Sequence, residues 1–162
     1  MDSVPLTDLN LNTMIKKFIN WLSGNSGESE RISFKETFDL TDLPIVTFYQ
    51  GNNKLHFLLD TGSTDCIIDS NLLDWIKHSP AEEKSSLHGM DGINRIVGSC
   101  IITISYKDRE FSHPFLMSDM KAAFNTIKEK TGVTLHGIIG SNFFNKYKYV
   151  LDFNEMVAYS KQ

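Results

Sequence analysis

The spacing of apolar residues changes rhythm along this chain, and each rhythm predicts an element. Leu11, Met14, Ile15, Phe18 and Leu22 recur at helical spacing, with Lys16, Lys17 and Asn20 on the other side and Gly24 as a stop, which predicts an amphipathic helix over residues 8 to 22. The small polar run from Ser23 to Arg31 reads as a linker. Beyond it the pattern is mostly that of strands. "PIVTFYQ" and "KLHFLLD" flank Gly51 to Asn53, a hairpin loop by composition, and the second strand ends on Asp60. "CIID", Cys66 to Asp69, predicts a short strand, and Ser70 reads as the N-cap of a short helix holding Leu72, Leu73, Trp75 and Ile76. A polar stretch from Ser79 to Ser86 leads to a hairpin tip at "HGMDG", His88 to Gly92. On the return arm Cys100, Ile102, Ile104 and Tyr106 alternate with Thr103 and Ser105, so a long antiparallel hairpin is expected there.

After a turn at "YKDRE" the strand "FSHPFLM" contains Pro114, which lacks a ladder donor and so predicts an edge position. Residues 119 to 131 read as a helix with Phe124 and Ile127 inward, "VTLHGIIG" as a strand entering a glycine turn, and "SNFFNKY" as a short helix. "YVLDF" and "MVAYS" close the chain as a hairpin. The expected organisation is an N-terminal helix and linker over 1–31, then a mainly β domain over 32–162 with a few short helices. A chain of 162 residues is long enough for one sizeable core and short for two.

Composition removes several functions. Sixteen basic against twenty acidic residues give a formal charge of −4 with no basic cluster beyond a pair, which argues against a nucleic-acid partner. Cys66 and Cys100 form no C-x-x-C pair and have no histidine at metal-ligand spacing, so both read as small core residues and neither a metal nor a disulfide framework is expected. No apolar run is long enough to span a bilayer, and Asp2 and Asp8 replace the basic start of a signal peptide. The expected location is cytoplasmic, unless a targeting segment precedes this sequence.

The candidate chemistry lies at Asp60-Thr61-Gly62-Ser63, set between the apolar run Phe57-Leu58-Leu59 and the pair Ile67-Ile68. An ionisable side chain stands where the pattern predicts core. A strand that ends in Asp, a small residue at Gly62 and an immediate return into an apolar strand make a tight loop presenting one carboxylate from a packed base. About eighty residues later Ile138-Ile139-Gly140 is a second apolar pair ending in glycine before a short helix.

Together these stretches resemble the retropepsin-like aspartic proteases: "LLDTGS", the "CIID" return, the glycine-containing tip "HGMDG", "GIIGSNFF" and the final "YVLDF…MVAYS". The resemblance covers about residues 44 to 160 and implies a retropepsin-like acid protease barrel, one lobe per chain. It further implies a homodimeric aspartic endopeptidase without a cofactor, acting on peptides or proteins. Asp60 of two chains would form a dyad that shares one proton, because like charges that close cannot both ionise cheaply. Thr61 would hydrogen-bond across the two-fold axis, Gly62 would allow close approach, and Ser63 would donate to the neighbouring carboxylate. Gly89, Met90, Asp91 and Gly92 would form the tip of a flap.

The sequence departs from the resemblance at one pair. Retroviral members carry an Arg after the second glycine and an Asp two residues after the first, forming an ion pair; Ser141 and Thr64 stand here instead. Replacing both avoids a stranded charge. His88 and His136 lie near the turns, where a lone histidine is more often structural. Two other functions remain open: a catalytically silent retropepsin-like dimer that binds peptides, and a generic β ligand-binding domain with a chance Asp-Thr-Gly. The first makes no use of two facing carboxylates, and the second leaves the Gly140 turn and closing hairpin unexplained.

Overall fold

Alternation along the strands builds the core. The structure, a computed structural model, describes residues 31–81, 85–88 and 94–160. The expected N-terminal helix and nearly all of its linker, together with the tip residues Gly89, Met90, Asp91 and Gly92, lie outside the described residues. Strands β2 (Ile45–Gln50) and β3 (Asn53–Leu59) form the expected hairpin, pairing Gln50 with Asn53. Gly51 turns it at φ 60°, a conformation that a residue without Cβ adopts freely. On β3, Leu55, Phe57 and Leu59 enter the main core, while Leu58 packs on a second cluster with Ile45, Ile67, Leu116, Phe124, Leu135 and Ile138. The apolar run before Asp60 is continuous because both faces of this strand are covered.

The remaining ring strands are β4 (Ile67–Asp69), β8 (Ser99–Tyr106), β9 (Arg109–Ser118) and β10 (Gly137–Ile139). Their order is β2-β3-β10-β4-β9-β8, and Tyr49 of β2 pairs with Ser105 of β8 to close a six-strand barrel. Short β5 (Ser79–Pro80) adds to β8. A separate hairpin of β6 (Ser85–His88) and β7 (Asn94–Val97) pairs Ser85 with Val97 and His88 with Asn94. Strand β1 (Arg31–Ser33), which takes in the last residue of the expected linker, joins β11 (Tyr149–Asp152) and β12 (Val157–Ser160) in a sheet ordered β1-β12-β11. Helices α1 (Lys35–Thr41), α2 (Lys121–Thr131) and α3 (Ser141–Tyr147) are short. The fold is mainly β, and no described helix is long and apolar enough to cross a membrane.

Aromatic rings fill the main core. Phe34, Phe48, Phe57, Phe111, Phe115 and Phe143 are fully buried, and Phe48 meets Phe57, Phe111 and Phe143 edge-on. Truncating one of these rings to alanine should cost about 3–5 kcal/mol.

The structure corrects two expectations. Pro114 does not lie on an edge strand, since β9 sits between β4 and β8. The Leu116 N–H donates to the Cys66 carbonyl at 2.8 Å, and the Pro114 nitrogen, two residues earlier, points to the same side but past the end of β4. No ladder donor is lost there. The helix after "CIID" is a single 3₁₀ turn, Ser70–Leu72, and its N-cap is Asp69 in place of Ser70. The long hairpin is present, with a change of register near Gly98: Ser79 pairs with Ile101 and Pro80 with Cys100, then Ser85 with Val97 and His88 with Asn94. Helix α1 was not foreseen, because its seven residues bury no side chain fully.

Candidate active site

Strand order decides where Asp60 stands. Strand β10 is inserted between β3 and β4, parallel to β3 (Leu59 opposite Ile139) and antiparallel to β4 (Ile67 opposite Ile138). The chain from β3 to β4 must therefore arch over the end of β10, and residues 60 to 66 are that arch. Its underside is Gly140. A Cβ on Gly140 would overlap the backbone of Asp65, so the glycine of "IIG" is required by the approach of the two segments.

Backbone hydrogen bonds fix the arch at both ends. The Asp60 N–H donates to the Ile139 carbonyl at 3.0 Å, and the Ser63 N–H donates back to the Asp60 carbonyl at 3.2 Å. Helix α3 has no side-chain cap at Gly140, and its first donors reach the arch instead: Ser141 N–H to the Ser63 carbonyl at 2.8 Å and Asn142 N–H to the Thr64 carbonyl at 3.0 Å. Loop and helix satisfy each other's open backbone groups.

The half-buried carboxylate of Asp60 takes the Gly62 N–H on Oδ1 at 2.9 Å. Thr61 and Gly62 are exposed beside it. Ser63 differs from the expectation: its hydroxyl donates to the Asp65 carbonyl at 2.7 Å, inside the arch, so the donor to Asp60 is a backbone amide and not this side chain. Gly140 lies directly against the arch, and Ile138 and Ile139 pair with the strands that enter and leave it. Ser141 and Thr64, which replace the retroviral ion pair, still meet through a 3.4 Å bond from the Ser141 hydroxyl to the Thr64 carbonyl.

Other polar groups beneath the arch escaped the sequence reading. The Asn142 amide donates to Asp65 Oδ1 at 3.1 Å, and its oxygen lies 3.2 Å from His113 Nε2 and 3.4 Å from the Cys66 thiol. His113 is buried on β9 in register with Phe111 and Phe115, and a histidine within that apolar period was the available signal. Burial holds His113 below the ordinary histidine range, against the opposing hydrogen bond that its ring makes to Asn142 Oδ1. It pushes the Cys66 thiol up to about 12. Asp69, the third aspartate of this region, is a capping residue: its Oδ1 accepts from Asn71 N–H, Asn71 Nδ2 and Met120 N–H at 3.2, 2.8 and 3.3 Å. Those donors join β4 to the start of α2. His136 is also structural, with Nδ1 accepting the His56 N–H.

A shallow hollow of about 370 Å³ lies at the other end of β3, lined by Tyr49, Gln50, Lys77 and Glu110 among others. It contains none of the sequence-predicted site residues, and its Gln50 side chain is engaged with the backbone of Lys77 and Thr103. Among the described residues no three of His, Cys, Asp and Glu converge as a metal site.

The family model for retroviral aspartyl protease matches residues 40–152, more than half of the chain. The chain belongs to this family. Among solved structures it is similar to the EIAV protease complexed with the inhibitor HBY-793, at 19% identity over 68% of this chain and 93% of that one, with a TM-score of 0.47. It is also similar to a retropepsin-like aspartic protease from Rickettsia conorii, at 12% identity over 71% and 80%, with a TM-score of 0.41. No curated protein sequence matches it significantly. The matched span of this aspartyl protease family runs from the end of α1 through β11 and includes the arch, the Gly140 turn and helix α3.

Proposed function

We propose that the chain is an aspartic endopeptidase that works as a homodimer, with Asp60 of each copy forming half of one catalytic dyad. The observation that carries this reading is the Asp60 arch itself: a carboxylate raised on a packed strand, held from below by Gly140 and α3, and bonded by the Gly62 amide on one oxygen. One chain of this aspartyl protease family supplies one such carboxylate, so the site needs a second copy. The three-stranded sheet supports assembly, since β1 and β11 are its outer strands and open strand edges are natural sites for another chain.

Two facing carboxylates share a proton, and that state contains both partners of the reaction. The ionised carboxylate takes a proton from water while the protonated one donates to the carbonyl oxygen of the peptide bond. Water attacks directly, and no acyl-enzyme forms. Thr61 bonds across the two-fold axis, and the β6–β7 hairpin with Gly89, Met90, Asp91 and Gly92 at its tip closes over the bound peptide.

Incubation with a library of proteome-derived peptides, read by mass spectrometry, tests the reading. The wild-type protein should cut internal peptide bonds and Asp60→Asn should cut none. Cleavage that persists in Asp60→Asn would remove Asp60 from the chemistry. No cleavage by a folded wild-type dimer would favour a peptide-binding module.

A further inference from the structure

The polar groups under the arch determine one another's orientation. An ionised Asp65 can only accept, so the NH₂ of Asn142 must face it across 3.1 Å. The Asn142 oxygen then faces His113, which must carry its proton on Nε2 to donate across 3.2 Å. The Cys66 thiol donates to the same oxygen, and its sulfur accepts the Gly140 N–H at 3.3 Å. The hydrogen bonds run from the arch through Asn142 into β9.

This arrangement leaves His113 Nδ1 as a bare acceptor. It has no partner among the described residues, in a side chain 2% exposed between the rings of Phe115, Phe143 and Tyr147. Burying an unpaired ring nitrogen is unfavourable, and an apolar residue would suit this cage better. Lys146 and Asp65 are the charged groups near the ring: Lys146 works with burial against the charged form, and the Asn142 bond and Asp65 oppose them. The hydrogen bond made by this side chain, to Asn142, leads to the arch that carries Asp60.

We propose that His113 is a positioning residue of this active site, acting through Asn142 to hold the Asp65 end of the catalytic arch. The proposal rests on the reading of the chain as an aspartic endopeptidase. Its bond orients the Asn142 amide, the amide fixes Asp65, and the arch then presents Asp60 without sway. A small displacement of a catalytic group slows the chemical step far more than it weakens substrate binding.

The test uses a fluorogenic peptide copied from a cleavage site mapped in the library experiment, with three variants of the full chain. His113→Phe fills the aromatic cage and removes the donor. His113→Gln restores an amide N–H near the position of Nε2. Asp60→Asn reports on the underlying reading. We expect His113→Phe to fold, to keep KM within about twofold and to lose about tenfold in kcat, with His113→Gln recovering most of the loss. Wild-type kcat in His113→Phe, or a loss that His113→Gln does not relieve, would overturn the positioning role while Asp60-dependent cleavage stands. Absence of Asp60-dependent cleavage would overturn the endopeptidase reading, and the role with it. If His113→Phe fails to fold, Asn142→Ala cuts the same link from the arch side: lowered kcat with KM kept supports the role, and unchanged kcat overturns it.

Discussion

His136 Nδ1 accepts the backbone N–H of His56 at 3.0 Å, and the two rings lie 5.4 Å apart. An amide can only donate, so His136 must be neutral at Nδ1 for this bond to exist. The bond joins β3, which delivers Asp60, to the residue just before β10. Burial, then the neighbouring His56, hold His136 below the ordinary 6.5, with Asp69 opposing. Burial, then Lys54, do the same for His56.

Acid should therefore destabilise the fold through these histidines. Below 6.5 the unfolded chain takes up protons that the folded chain resists, so stability present above 6.5 is lost as pH falls toward the lowered folded values. Each such histidine contributes at most about 1.4 kcal/mol per pH unit within that window. His136→Asn replaces Nδ1 with an amide oxygen that accepts the same N–H without titrating. Urea midpoints between pH 7 and 5 should fall less steeply in His136→Asn than in wild type. Equal slopes would show that the His56 bond does not tolerate protonation any worse than the unfolded chain does.

Two glycines of the site should fail in different ways. In Gly140→Ala the new methyl meets the backbone of Asp65, which cannot swing aside. It should lower stability by about 1–3 kcal/mol. In Gly62→Ala the methyl meets only Asp60 Oδ1, at 3.1 Å. That variant should keep its denaturation midpoint and lose peptidase activity. Thermal unfolding paired with an activity assay separates them, and equal destabilisation of both would contradict the close packing of the arch on Gly140.

The two cysteines should be inert. Both are buried, and burial pushes Cys66 up to about 12 and Cys100 up to about 11. The thiolate is the reactive species, so iodoacetamide at pH 8 should leave the folded protein unmodified and label both sites in urea. Rapid labelling of Cys66 without denaturant would mean that the arch opens on the timescale of the reaction.

Much of this was legible in the sequence for a physical reason. The β2–β3 hairpin, α3 and the β11–β12 hairpin are local, so spacing and turn residues specify them. The arch was legible because an aspartate and a glycine interrupt apolar strands, and Gly140 because its apolar pair repeats that design. The insertion of β10 between β3 and β4 was not, since it joins residues about eighty positions apart that carry no pairing code. Pro114 was misplaced for the same reason: whether its missing donor matters depends on where a distant strand stops. His113 and Asn142 become meaningful only when β9 and α3 meet under the arch. Ser63 offered a hydroxyl near two acceptors, and the backbone path through the turn, which sequence does not specify, chose Asp65.

The proposed homodimer builds one site from two chains, each giving Asp60. Wild-type and Asp60→Asn chains should be mixed in varying proportion at constant total concentration, well above the dimer dissociation constant, with subunit exchange confirmed by native mass spectrometry. If every mixed dimer is dead and pairing is random, activity follows the square of the wild-type fraction, so an equal mixture keeps about one quarter of the starting rate. A linear fall to about one half, with exchange complete, would mean that each chain carries its own complete site and would contradict the shared dyad.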